Sequence, residues 1–78
     1  MPLFFFDIWE DGAFVQDEEG SEHLDIDSAQ REAAETAASI ARDLLSRGAI
    51  RSVAVEVRNG HGERLLTATV SIRVDRAV

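Results

Sequence analysis

The sequence predicts one α+β domain with the order ββαββ, in which one helix packs on one face of a four-stranded, mainly antiparallel sheet. Three observations predict this class. The chain of 78 residues has room for one small core. Segments that alternate between apolar and polar residues flank one segment with apolar residues at spacings of three and four. Short turn sequences separate the strands on each side of that segment. We therefore expect a single domain over residues 1–78.

The first predicted hairpin joins a strand over residues 3–9 to a short strand over about residues 14–16. Alternation along the first strand defines two faces. Its core face consists of Phe4, Phe6 and Ile8, and its opposite face of Leu3, Phe5, Asp7 and Trp9. Asp11-Gly12 makes the turn, because glycine tolerates a positive φ. The acidic segment that follows, residues 17–22 (DEEGSE), is predicted as a polar loop.

The central helix is predicted over residues 28–47. Its apolar stripe consists of Ile26, Ala29, Ala33, Ala37, Ile40, Ala41 and Leu44. Asp25 is the preferred N-cap, because Leu24 and Ala29 on either side of it are placed to form a hydrophobic staple. Asp27 is the alternative cap. Gly48 is expected to end the helix in the left-handed conformation.

The second predicted hairpin consists of a strand over residues 52–58, a loop over residues 59–62 (NGHG) and a longer strand over residues 64–75. The inward side chains are Val53, Val55 and Val57 on one strand and Leu66, Ala68, Val70, Ile72 and Val74 on the other. A right-handed crossover through the helix favours the strand order 2-1-3-4, with every neighbouring pair antiparallel.

Charge is unevenly distributed along the chain, whose net charge is −7. Residues 1–35 contain eleven acidic side chains and one basic, whereas residues 36–78 contain four acidic and seven basic. Nucleic acid is a poor partner for the acidic half, because binding requires clustered cations. The acidic half either keeps the protein soluble or docks a basic partner, including a second copy in a head-to-tail arrangement.

The sequence predicts no catalytic, cofactor or metal site. It has no cysteine, lysine or tyrosine, and Ser21 and His23 have no reason to converge. His61 is expected at an exposed hairpin tip. The acidic residues 17–25 lack the ligand spacing of a calcium-binding loop. The apolar start is too short for a signal peptide or a membrane span, so we expect a cytoplasmic protein without membrane contact.

An interaction surface is the remaining function class. The candidate interface residues are Leu3, Phe5, Asp7, Trp9, Arg58 and Arg73, all predicted on the sheet face away from the helix. Asp7 is expected to pair with Arg58 or Arg73, in the same or another subunit. Exposed aromatic patches usually mark interfaces, so we expect a homodimer or another homo-oligomer, with an unknown protein partner as a further occupant. The alternative is a regulatory module that stacks nucleic-acid bases on Phe5 and Trp9.

Four segments also resemble a known family: MPLFFFDI, DEEGSEHLD, DIDSAQREA and VEVRNGHGERLLTATV. They resemble small uncharacterised bacterial proteins that form a domain of unknown function, common in alphaproteobacteria such as rhizobia. This chain has Leu24 where similar sequences more often have a proline before the aspartate. The resemblance implies no activity. The topology is also similar to small ββαβ regulatory modules such as HicB-type antitoxins, which is an analogy of fold only.

Overall fold

The computed structural model describes residues 1–48 and 52–78. In chain order the elements are β1 (Leu3–Glu10), β2 (Ala13–Val15), β3 (Ser21–Glu22), α1 (Ile26–Ser46), β4 (Ser52–Asn59) and β5 (Arg64–Ser71). The α+β class, the single helix between two groups of strands and the antiparallel sheet are confirmed. The predicted count of four strands is wrong, because the described residues form a sheet of five.

The sheet has the order β2-β1-β4-β5, which is the order that the right-handed crossover predicts. β1 pairs with β4 along seven residues, and β4 pairs with β5 from Ser52 to Arg58, with a register shift between Val57 and Arg58. β2 and β3 both pair with the other edge of β1, at opposite ends of that strand. All pairs are antiparallel.

The fifth strand, β3, lies inside the segment that was predicted as a polar loop. Ser21 pairs with Phe4, and Glu22 pairs with Leu3. β2 pairs with β1 only from Ile8 to Glu10, so it leaves the backbone groups of the first residues of β1 to be paired by β3. The sequence does not predict β3, because its two residues are both polar and are too few to show an alternating apolar pattern.

The last strand, β5, is shorter than predicted, because it ends at Ser71 and not at residue 75. Its last residue, Ser71, pairs with Ser52, the first residue of β4. Val74 was expected to point into the core, but it is 79% exposed. The alternating sequence pattern therefore continues four residues beyond the end of the observed strand.

The helix begins at Ile26, directly after its N-cap Asp25, whose side chain accepts a hydrogen bond from the Ser28 backbone N–H at 2.9 Å. The preferred cap is confirmed, and Asp27 lies in the first turn. Gly48 has a φ of 71°, the left-handed value expected after a helix C-terminus.

The core lies between α1 and the sheet. Its buried members are Phe4, Ala29, Ala33, Ala37, Ala41, Val53, Val55 and Val57. Small alanine side chains let the helix backbone come close to β4 and β5, the strands on which it packs. Phe6 and Ile8 point to the same face as the helix but are only partly buried, because the helix packs on β4 and β5 and not on β1. Within residues 1–48 and 52–78, no helix has both the length and the apolar character of a membrane span.

The helix cap gives a first testable prediction. Asp25→Ala is expected to lower the free energy of unfolding by about 1 kcal/mol, because the Ser28 N–H loses its acceptor. Asp27→Ala removes only a favourable charge from the first turn and is expected to cost about 0.3–0.5 kcal/mol. Urea denaturation of both variants measures the difference, and a larger cost for Asp27→Ala would contradict this assignment.

Candidate functional site

The sheet face that α1 does not cover, which we call the outer face, contains most of the candidate interface residues. Its main members are Leu3, Phe5, Asp7 and Trp9 of β1, Phe14 of β2, Ala54, Glu56 and Arg58 of β4, and Arg64 of β5. The antiparallel register places Phe5 opposite Arg58 and Asp7 opposite Glu56. Two acidic side chains therefore face each other across adjacent strands and need positive partners.

A buried ion pair between Asp7 and Arg58 lies at the centre of the outer face. Asp7 is only 5% exposed. The Arg58 Nε atom lies 2.8 Å from Asp7 Oδ2, and Nη2 lies 3.4 Å from Oδ1. The Arg58 guanidinium also lies over the Phe5 ring, 4.5 Å from its centroid. Arg58 thus neutralises Asp7 within the same chain and is held in place by a cation–π contact.

The backbone of Asp17 closes this pair into a ring of three residues. The Asp17 N–H donates to Asp7 Oδ1 at 2.9 Å, and its carbonyl oxygen accepts from Arg58 Nη2 at 2.7 Å. These bonds fix residues 16–20, which we call the acidic loop, against the outer face. The buried carboxylate therefore has three hydrogen-bond donors, as a buried charge requires.

The side chain of Asp17 takes the place of a strand on the edge of β1, between β2 and β3. Its Oδ2 accepts from the Phe6 N–H at 3.0 Å, and its Oδ1 accepts from the N–H groups of Glu19 and Gly20 at 3.1 Å. Burial by itself raises the pKa of this carboxyl, but these hydrogen bonds and the positive Arg58 outweigh it, so the pKa lies below its ordinary value of 3.8. The carboxylate is ionised at neutral pH.

Gly20 ends the acidic loop and lets it lie close to Phe5. Its φ is 76°, and a Cβ atom placed on it would lie 2.9 Å from Phe5 Cε2 and 3.1 Å from the Phe4 carbonyl oxygen. Only glycine combines this conformation with this approach. The loop consequently covers part of Phe5, which sequence reasoning placed on an open aromatic patch.

A second ion pair lies beside the first. The Arg64 Nε atom is 3.3 Å from Glu56 Oε2, and Arg64 is largely exposed. The two pairs, together with Phe14 and Gly62, line a cleft of about 210 Å³. Since each carboxylate has its own arginine, the centre of the outer face is electrically balanced.

The outer face has an exposed aromatic pair, Trp9 and Phe14. Their ring centroids lie 4.5 Å apart, and the two residues pair across β1 and β2. Trp9 is 38% exposed and Phe14 is 46% exposed. Leu3 is also exposed but lies at the other end of β1.

Arg73 does not join the outer face. It follows the end of β5, and its Nε atom lies 3.0 Å from Asp75 Oδ2, where both side chains are exposed. Sequence reasoning also omitted Phe14, Glu56, Arg64 and the structural role of Asp17. Two of these could have been found from the sequence. Glu56 alternates with the inward valines and so points to the outer face, and an aspartate three residues before a glycine, as in Asp17 and Gly20, is typical of a tight turn.

His23 packs in the core side of the sheet and does not pair with Ser21. Its ring centroid lies 5.3 Å from that of Phe6 and 6.1 Å from that of Phe4. Nδ1 lies 3.4 Å from Ser28 Oγ, which is long for a hydrogen bond, and Nε2 has no hydrogen-bond partner among the residues described. Without a group that orients the ring, this contact lacks the geometry of an activated nucleophile.

The portion of the chain at residues 1–48 and 52–78 contains no group of three or more His, Asp or Glu side chains placed to hold a metal ion. In the acidic loop, the Asp17 carboxylate is occupied by three backbone N–H groups. The loop therefore has a structural role in the fold.

Together these features define a small α+β domain with a partly exposed aromatic pair beside a balanced charge cluster. Residues 3–71 match the family described as Domain of unknown function (DUF6894), and the chain belongs to this family. The match runs from the first residue of β1 to the last residue of β5, so it includes the whole sheet and the helix. No curated protein and no solved structure matches the chain.

The buried ion pair gives a second prediction. Asp7→Ala leaves the Arg58 guanidinium without its carboxylate partner and removes the acceptor of the Asp17 N–H, so it is expected to lower the free energy of unfolding by about 2–3 kcal/mol. The control is Glu56→Ala on the same face, which is expected to cost less than about 1 kcal/mol because its partner Arg64 is exposed. Equal costs in urea denaturation would show that Asp7 has no special structural role.

Gly20 gives a third prediction. Gly20→Ala is expected to cost about 2–4 kcal/mol, since the added methyl group meets both a ring and a backbone oxygen. Gly62→Ala is the matched control, because Gly62 also has a positive φ but nothing within 4 Å, so we expect about 1 kcal/mol there. Thermal unfolding of the two variants makes the comparison, and similar losses would mean that the acidic loop is not packed on Phe5.

Proposed function

We propose that this domain is a non-catalytic protein-interaction module, and that its outer face binds a protein ligand through Trp9 and Phe14. The main support is that two contacting aromatic rings remain partly exposed on a sheet face that no helix covers. Exposed apolar patches beside polar residues are typical of interaction sites, and tryptophan is the side chain most often central to them.

The charge cluster supports this proposal because it makes the face rigid before a ligand arrives. Asp7, Arg58 and the backbone of Asp17 are joined by hydrogen bonds. A surface that is already ordered loses little conformational entropy on binding. Because Asp7 finds its arginine in its own chain, a second copy is not needed to neutralise it.

The surrounding charge indicates the chemistry of the ligand. β1, β2 and the acidic loop belong to residues 1–35, the half of the chain with eleven acidic side chains. A ligand that presents an apolar side chain flanked by lysine or arginine fits both the aromatic pair and this field. Nucleic acid fits less well, because Arg58 and Arg64 are each paired with a carboxylate.

The proposal includes a cytoplasmic location in a bacterial cell. The resemblance described above supports the bacterial origin. The cysteine-free sequence suits a reducing compartment.

A retention experiment with matched variants tests the function. The wild-type chain, Trp9→Ser and Phe14→Ser are immobilised and exposed to extract of the source cell. Leu45→Ser is the control, because Leu45 is an exposed apolar residue on the helix. We expect proteins retained by the wild type and by Leu45→Ser to be lost from both outer-face variants, with circular dichroism showing that all four chains are folded.

Two results would contradict the proposed function. Identical sets of retained proteins for all four chains would remove the outer face from consideration. Retention of labelled duplex or single-stranded oligonucleotides at low salt would favour the nucleic-acid alternative, since phosphate contacts are strongest there.

A further inference from the structure

Apart from the register shift at Leu65, next to its first residue, the outer edge of β5 lacks the features that usually protect the edge of a sheet. β5 is the last strand of the order β2-β1-β4-β5, and no strand among residues 1–48 and 52–78 pairs with its far side. Residues 65–72 (LLTATVSI) contain no charge, proline or glycine. Exposed edge strands of soluble proteins usually have such residues, because an unprotected edge pairs with another strand.

The chain beyond β5 continues the alternating pattern of the strand. Ile72 and Val74 have the same parity as Leu66, Ala68 and Val70, the inner residues of β5. The strand itself ends at Ser71, and Val74 beyond it is 79% exposed. A strand of a second copy placed beside the free edge of β5 would cover this exposed end of the pattern.

We propose that residues 65–75 of two copies of this chain pair antiparallel across their β5 edges and form one continuous sheet. Directly opposite residues in an antiparallel pair lie on the same face. If Val70 lies opposite Val70 of the second copy, Leu66 lies opposite Val74 and Ala68 lies opposite Ile72. In this register every inner residue from 66 to 74 meets an apolar residue, and both helices lie on the same side of the sheet.

The burial of the inner residues supports the same contact. Val53, Val55 and Val57 of β4 are fully buried under the helix. Their neighbours on β5, Leu66, Ala68 and Val70, are only partly buried because β5 lies at the edge. The extended segment of a second copy would cover this open side, which adds apolar burial to the backbone hydrogen bonds.

This contact goes beyond the proposed ligand-binding function and leaves its surface free. Trp9 and Phe14 lie on β1 and β2, at the opposite side of the sheet from β5. The dimer therefore presents two aromatic pairs on one face, and a ligand with two matching segments gains affinity by binding both.

Sedimentation equilibrium of the full chain tests the edge contact. We expect the wild type to be a dimer and Val74→Lys to raise its dissociation constant by roughly a hundredfold, since the dimer has the change twice and each buried charge opposite an apolar residue costs about tenfold or more. Val74 is exposed in the single chain, so this variant should fold. Val15→Lys, at the other edge of the sheet and 58% exposed, is the control and is expected to remain dimeric.

Cross-linking tests the register. The chain has no cysteine, so Val70→Cys introduces a single thiol. Two such thiols directly opposite each other are close enough for a disulfide, and we expect a covalent dimer under mild oxidation. Val15→Cys is expected to give none. A dimer that depends on Val74 but does not cross-link through residue 70 would overturn this register.

The remaining outcomes separate this inference from the proposed function. A wild type that is monomeric at high concentration, or a dimer that Val74→Lys does not weaken, would overturn the edge contact. A dimer lost in Trp9→Ser would assign the contact between copies to the outer face. Loss of retained ligands in Trp9→Ser with the dimer intact would support both proposals.

Discussion

The Asp7 carboxylate lies buried on a sheet face that no helix covers, and much of the arrangement around it follows from satisfying that charge. An unpaired carboxylate at such a site costs several kcal/mol, so Arg58 and a backbone N–H must reach it. Arg58 comes from the neighbouring strand β4, whereas the N–H comes from Asp17 in a loop. Asp7 therefore couples the register of the central strands to the position of the acidic loop.

The position of the loop in turn determines what the outer face exposes. Asp17 closes the gap on the edge of β1 between β2 and β3, and Gly20 brings the chain down onto Phe5. The aromatic residue nearest the ion pair is thus partly covered from within the chain. Trp9, at the other end of β1, packs its ring against Phe14 and stays partly accessible. A single charge cluster separates the structural aromatic residue from the ones available to a ligand.

The parts of the fold that local patterns encode were predictable, and the parts that depend on distant contacts were not. The helix cap Asp25, the alanine stripe and the inward valines of β4 each follow from spacing within a few residues. The ring of Asp7, Asp17 and Arg58 joins residues 10 and 51 positions apart, for which one sequence offers no periodic signal. β3 was missed for the same reason, since its two polar residues pair only because the loop returns them to β1.

The predicted extension of β5 to residue 75 shows that an alternating pattern does not by itself determine where a strand ends. Alternation reflects which side chains are selected to face an apolar surface, whereas a strand also needs a neighbour for its backbone. The two requirements separate at Ser71, where β5 ends although the apolar pattern continues through Ile72 and Val74. Val74 is 79% exposed. In the proposed dimer, a strand of the second copy supplies backbone partners on the side of β5 that the described sheet leaves open, and it covers Val74 with an apolar side chain.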